Sequence, residues 1–371
     1  MVRLTPLVGA VGVMRSKDVF ADGLRGIAAI SVLMCHYVLA FWAPGPTIGL
    51  IANVPDLPQG VAPAVSKWLL ETPMTFSLAA FGVSLFFLIS GYVIPLSLDR
   101  LDTVAFARAR VWRILPTYAF GFCFTQLALL VAAKFYGRPF PYETSDVLAH
   151  FIPGVRLVAR TPFIDYVIWT LEIEVVFYIV CLLTAPLIRA GSLLVLVVPT
   201  VLLFLASPTY GFPAYVIAGY APALDFMFVG VLISFHRSEK IGPTTTIAAI
   251  AFVLATSLYF TYTTRGLISL VSYIFAAAMF ITAYLFRAHF PDIALLRGLS
   301  AISYPLYVVH GLMGYVAMRI MLDHGVPPAG VVVLATLLAL AVSTAIHFLV
   351  EKPTQKIGRT PSIKLVAQAA E

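Results

Sequence analysis

The chain has 371 residues, of which 61% are hydrophobic and only 11% charged, with a formal net charge of +7. A soluble domain carries about 25% charged residues, and one soluble core cannot hide so large an apolar excess, whereas a bilayer can if the apolar residues come in runs of about 20. No basic stripe with interleaved aromatics falls on a soluble module, which excludes nucleic acid as the partner behind the positive charge.

The elements follow in chain order. Leu4–Met14 is too short to span, and its flanking charges (Arg3 before, Arg15 and Lys17 after) run opposite to those of a signal peptide, so residues 1–19 read as a flexible or interfacial N-terminus. Apolar runs then predict about ten spanning helices, near 26–43, 75–97, 114–134, 166–188, 193–207, 214–235, 245–262, 266–286, 298–320 and 329–350. They are continuously apolar, which excludes the alternating strands of a barrel. Two loops, 44–74 and 135–165, are rich in Pro and Gly, and 64–71 reads as a short amphipathic helix at the outer interface. Cys35, Cys123 and Cys181 all fall inside predicted spans, so there is no disulfide framework and no zinc motif. Residues 356–371 form a polar tail.

Lys and Arg cluster at the N-terminus, in 98–113, in the short linkers around Arg189, Arg237 and Arg287, and in the tail. Placing these in the cytoplasm requires an even number of spans, with both termini inside. Arg138, Arg156 and Arg160 in the long loop 135–165 are the imperfect fit. The expected fold is therefore all-α, a polytopic membrane bundle with one membrane domain over 20–355.

The chemistry-bearing residues lie inside these spans. Asp22-Gly23-Leu24-Arg25-Gly26 opens the first, and His36 follows eleven residues after Arg25. Eleven helical steps make three turns plus about 20°, so Arg25 and His36 share a face about 16 Å apart along the axis. Arg25 then sits at the cytoplasmic mouth and His36 near the midplane. An ionisable group at that depth points to function, although His36 alone reads equally as a hydrogen-bonded packing histidine. Glu174 in the fourth span can reach a similar depth, Tyr178 lies one turn further on its face, and Glu172 points about 200° away. Alone, Glu174 also reads as a protonated group bonding across helices. Arg108, Arg110 and Arg113 precede the third span, as ordinary positive-inside residues or as a phosphate cradle. Ser90, Tyr92, Ser303, Tyr304, Tyr307, His310 and Asp225 are further polar groups at membrane depth.

Taken in order, these segments resemble the acyltransferase-3 family of bacterial membrane O-acyltransferases. Arg25 with His36 is similar to its Arg-x10-His signature. Ser90-Gly91-Tyr92, Arg108-Ala109-Arg110, Arg113-Ile114-Leu115-Pro116, Trp169-Thr170-Leu171 through Glu174, Phe177 and Tyr178, Ser303 through His310, and Glu351-Lys352-Pro353 are similar to its later elements. The match spans about 20–353. The resemblance implies ten core helices in a bacterial inner membrane and a cytoplasmic acyl-CoA donor, acetyl-CoA before succinyl-CoA. It also implies a hydroxyl acceptor, on a cell-surface glycan, a lipid-linked sugar or a small metabolite, and partners in glycan synthesis. No metal is expected. Glu172 departs from the family, where a small polar residue is usual.

On that basis Arg25, Arg108, Arg110 and Arg113 are expected to hold the CoA phosphates, and neutral His36 to act as general base. Glu174 is expected to orient the His36 ring, and Ser90, Tyr304 or Tyr307 to donate to the developing oxyanion. The rival is a proton-coupled transporter or flippase of a polar lipid or glycan precursor, with the buried His, Glu and Asp as a relay. It requires paired broken helices in symmetric halves, and the sequence contains neither. A non-catalytic scaffold of a glycan-synthesis complex is the third reading.

Overall fold

A computed structural model describes residues 18–45, 47–58, 60–205 and 214–359. The predicted N-terminal segment up to residue 17, the end of the tail from 360, and the linker 206–213 lie outside the described residues. Helix accounts for 81% of the structure, and there is no strand among the described residues.

Helix α1 (Val19–Met34) runs directly into a π-helical turn, Cys35–Leu39, and a 3-10 turn, Ala40–Trp42. Two short helices follow, α2 (Thr47–Ala52) and α3 (Ala64–Glu71), the latter being the expected amphipathic segment with Trp68 and Val65 exposed. Helix α4 (Leu78–Leu98) is capped by Ser77, whose Oγ accepts from Ala80 N–H. Helix α5 (Thr103–Tyr136) is capped in the same way by Asp102 and stops at Gly137, which adopts the left-handed conformation. The loop after it carries α6 (Thr144–His150) and α7 (Val155–Ala159). Then come α8 (Ile168–Leu183), α9 (Ala185–Ala190), α10 (Val197–Leu205), α11 (Ala214–Arg237) and α12 (Pro243–Leu285). The chain ends with α13 (Ala294–Val309), α14 (Leu312–Asp323), α15 (Pro328–Ile346), a second π turn at His347–Glu351, and α16 (Lys352–Arg359).

Among the described residues, five helical stretches are long and apolar enough to cross a membrane, and the pair α13 and α14, bent by 74°, makes a sixth if taken as one span. Length and composition thus mark five or six stretches where ten runs were expected, because some runs are joined in one helical stretch and others are divided among shorter helices. Two of the expected runs, 245–262 and 266–286, lie in the single 43-residue stretch α12. They are separated where Gly266 adopts φ 77°, ψ −177°, a conformation open in practice only to glycine. The fourth run is divided at Thr184, where α8 gives way to α9 with Pro186 in its first turn.

The bundle is built around α4 and α11. Gly91 and Gly230 face each other across this pair, and a Cβ on Gly91 would meet the Met227 carbonyl while one on Gly230 would meet the Leu88 carbonyl. Small residues at the crossing let the two backbones touch. From Ala221 to Phe235, α11 is enclosed on every side. The periphery is the reverse: Leu127, Leu130, Ile179, Ile247, Phe275 and Leu337 are all exposed. An apolar surface of this extent is stable against lipid and not against water.

Candidate active site

His36 lies in the π turn that ends α1. Such turns re-aim side chains and recur at functional sites. Its Nδ1 is 2.5 Å from the Tyr315 hydroxyl of α14, and its ring meets that of His310 edge-on with centroids 4.8 Å apart. His310 Nδ1 lies 2.8 Å from the Tyr307 carbonyl and 3.1 Å from that of Leu306. Carbonyls only accept, so Nδ1 of His310 carries the proton and its buried Nε2 is an acceptor without a partner among the described residues. The break between α13 and α14 at His310–Gly311 is what brings His310 and Tyr315 together on the same imidazole.

Two cavities meet at this point. The first, about 640 Å³ with the space at its mouth included, is lined by Arg25, Ser90, Arg113, Glu174, Tyr304 and Tyr307 among others. The second, about 560 Å³ on the same measure, is lined by His36, Tyr166, Trp169, Arg265, Tyr273 and Tyr307 among others. Val83 and Tyr307 line both and form the common wall. The first takes Arg25 from α1 and Arg113 from α5, and the second takes His36 from the π turn after α1 and Arg265 from beside the break in α12.

Arg25, Arg113 and Glu174 therefore share a cavity, and Asp22 lies 3.6 Å from Arg25. Arg108 and Arg110, also expected to hold phosphate, are not among the residues that line it. Residues two apart on a helix point about 200° from one another, so Arg108 and Arg110 cannot both accompany Arg113. Arg108 Nε donates to the Gly358 carbonyl at 3.3 Å, and Arg110 donates to Ser97 Oγ at 2.7 Å with its guanidinium over the rings of Phe106 and Tyr178.

The expected Glu174–His36 pairing is also replaced. Glu174 accepts from the Tyr178 hydroxyl and lies 3.5 Å from Ser90 Oγ, in the first cavity, while His36 opens into the second and is held by Tyr315. An ideal helix would keep His36 on the face of Arg25, and the π turn Cys35–Leu39 shifts the register just where His36 falls. Of the three expected oxyanion donors, Tyr304 already donates to the Ile114 carbonyl at 2.9 Å and Ser90 faces Glu174. Tyr307, 2.8 Å from Thr170 Oγ1, is the one in the shared wall. Tyr315 carried no signal in the sequence, being one tyrosine among 17.

Glu172 is buried with Arg156 of α7, which donates to it through Nε at 3.0 Å and Nη2 at 2.6 Å, while the Tyr220 hydroxyl donates to it at 2.5 Å. The arginine that broke the charge rule thus ties the loop 135–165 onto α8 and α11, and the unusual Glu172 is its counter-ion. Just before α8, the Asp165 carboxyl is 1% exposed. Burial pushes its pKa up to about 7, partly opposed by the N–H of Val167.

An apolar-surfaced helical bundle of this kind is a membrane protein, and the ionisable groups that line its internal cavities mark a candidate functional site. The family comparison narrows this. The acyltransferase-3 family, described as an acyltransferase domain, matches residues 18–348, and the chain belongs to it. No curated protein matches the chain, and no solved structure does.

Proposed function

We propose that this chain is a membrane O-acyltransferase of the bacterial inner membrane. In this reading it moves an acetyl group from cytoplasmic acetyl-CoA to a hydroxyl of a glycan or lipid-linked sugar presented from the other side. The observation that carries the reading is the pair of cavities divided by Val83 and Tyr307, with two arginines in one and a histidine in the other. A donor with phosphates and an acceptor with a hydroxyl can then enter from opposite ends and meet at the wall.

In this mechanism Arg25 and Arg113 bind CoA phosphate through charge-assisted hydrogen bonds, and Tyr307 donates to the thioester oxygen as it becomes an oxyanion. His36 takes the proton of the acceptor hydroxyl, whose oxygen bonds to the thioester carbon. The C–S bond then breaks, the proton on His36 passes to the departing thiolate, and free CoA leaves by the arginine cavity. Tyr315 orients the imidazole through Nδ1, leaving Nε2 for the acceptor.

The test is release of free CoA thiol by purified protein supplied with acetyl-CoA, compared with His36→Ala. Loss of a general base typically costs about 10²–10⁴-fold in rate. Release abolished in a folded His36→Ala protein supports the assignment. Release that persists in the variant removes His36 from the chemistry. A wild-type protein that neither binds nor turns over CoA, but moves protons with a polar lipid, favours the transporter.

A further inference from the structure

The second cavity holds more than the base. Arg265, the residue before the Gly266 break in α12, lies with its guanidinium 4.6 Å from the centre of the Trp169 ring. Both residues line the cavity, together with His36, Tyr166 and Tyr273. A guanidinium laid on an indole is held by its face, while its N–H groups stay in the plane of the fork and can reach a planar or tetrahedral oxyanion with two bonds. Arg265 and His36 are the basic side chains of its lining, and a guanidinium is the side chain best matched to a phosphate or carboxylate. The aromatic faces of Trp169 and Tyr166 suit the apolar face of a sugar ring.

From this geometry we infer that the second cavity selects a sugar hydroxyl whose own molecule carries a phosphate or carboxylate, with Arg265 gripping the oxyanion and Trp169 stacking the ring beside His36. The inference rests on the acyltransferase reading and adds the class of acceptor. A sugar phosphate and an acidic sugar present the same chemistry to Arg265, and the experiment separates them.

Binding of glucose 1-phosphate, glucuronate and neutral methyl glucoside would be measured by calorimetry on the full chain in detergent, for wild type, Arg265→Gln, Arg265→Lys and Trp169→Phe, with CoA titrated into wild type as a separate arm. One charge-assisted bond to an oxyanion changes affinity on the order of tenfold to a hundredfold. The expected result is a preference of that size for one or both anionic sugars over methyl glucoside. It should vanish in Arg265→Gln and persist in part in Arg265→Lys, while Trp169→Phe weakens all three sugars. Phosphate preferred over carboxylate identifies a phosphorylated or lipid-linked acceptor, and the reverse an acidic sugar. Equal binding of neutral and anionic sugars, no binding of any sugar, or a preference that survives Arg265→Gln overturns the inference. If Arg265→Gln does not fold, Arg265→Lys and Trp169→Phe against wild type still decide it. Failure of the CoA arm instead strikes the acyltransferase reading, whatever the sugars do.

Discussion

At the residue scale, the arrangement turns on which group holds His36. A general base must be aimed, and in the proposed mechanism the aiming of His36 falls to an uncharged partner, the Tyr315 hydroxyl at 2.5 Å, rather than to a carboxylate. When His36 takes a proton, that contact becomes a hydrogen bond to a cation, which is worth about 1.5–3 kcal/mol, or on the order of 10- to 100-fold in rate. Tyr315→Phe keeps the ring and its packing against Phe41 and removes only the hydroxyl. Its turnover should fall by that factor while KM for acetyl-CoA stays near the wild-type value, because the proposed mechanism places CoA in the other cavity. Steady-state kinetics of CoA release would check this. An unchanged kcat would show that the Tyr315 hydroxyl does not act through His36, and a loss confined to KM would point to a disturbed fold instead.

At the element scale, motif residues that read as chemistry in the sequence divide into chemistry and construction. In Ser90-Gly91-Tyr92 the serine faces Glu174, the tyrosine donates to Asp18 at 3.3 Å, and the glycine is the contact surface of α4 on α11. The α4–α11 crossing sets the depth of Ser90 and the wall residue Val83, so it positions the site without touching it. Gly91→Ala forces a methyl onto the Met227 carbonyl, and over-packing of this kind costs about 1–3 kcal/mol. The variant should melt at a lower temperature in detergent and yield less folded protein. Gly298→Ala is the matched control: it is an exposed position in the first turns of α13 with nothing near its missing Cβ, and alanine favours helix there by up to about 1 kcal/mol. Equal melting of the two variants would mean that the helices do not approach as closely as described.

At the scale of the whole molecule, the class of fold and the presence of polar groups among its buried helices were legible because both rest on composition and period. Long apolar runs have one stable solution in lipid, and Arg25, His36, Glu174 and Tyr307 stand out there as polar groups at depth. What the sequence concealed were departures from regular helix: the π turn under His36, the Gly266 interruption, and the bend at Gly311 that carries Tyr315 to the site. Each is a local deviation that a periodicity argument averages away. The sidedness of the bundle is the remaining property on which the mechanism depends. Helix α5, at about 1.5 Å per residue over its 34 residues, joins the arginine-rich turn at Arg100 to the loop at Glu143, so the two positions lie at opposite ends of one long span. With Cys35, Cys123 and Cys181 replaced by alanine, single Arg100→Cys and Glu143→Cys variants would be treated in intact spheroplasts with a membrane-impermeant maleimide. The excess of Lys and Arg at the Arg100 end leads to the expectation that Glu143→Cys labels at once and Arg100→Cys only after permeabilisation. The opposite pattern would put the Arg25–Arg113 cavity outside, away from cytoplasmic CoA, and the donor assignment would fall with it.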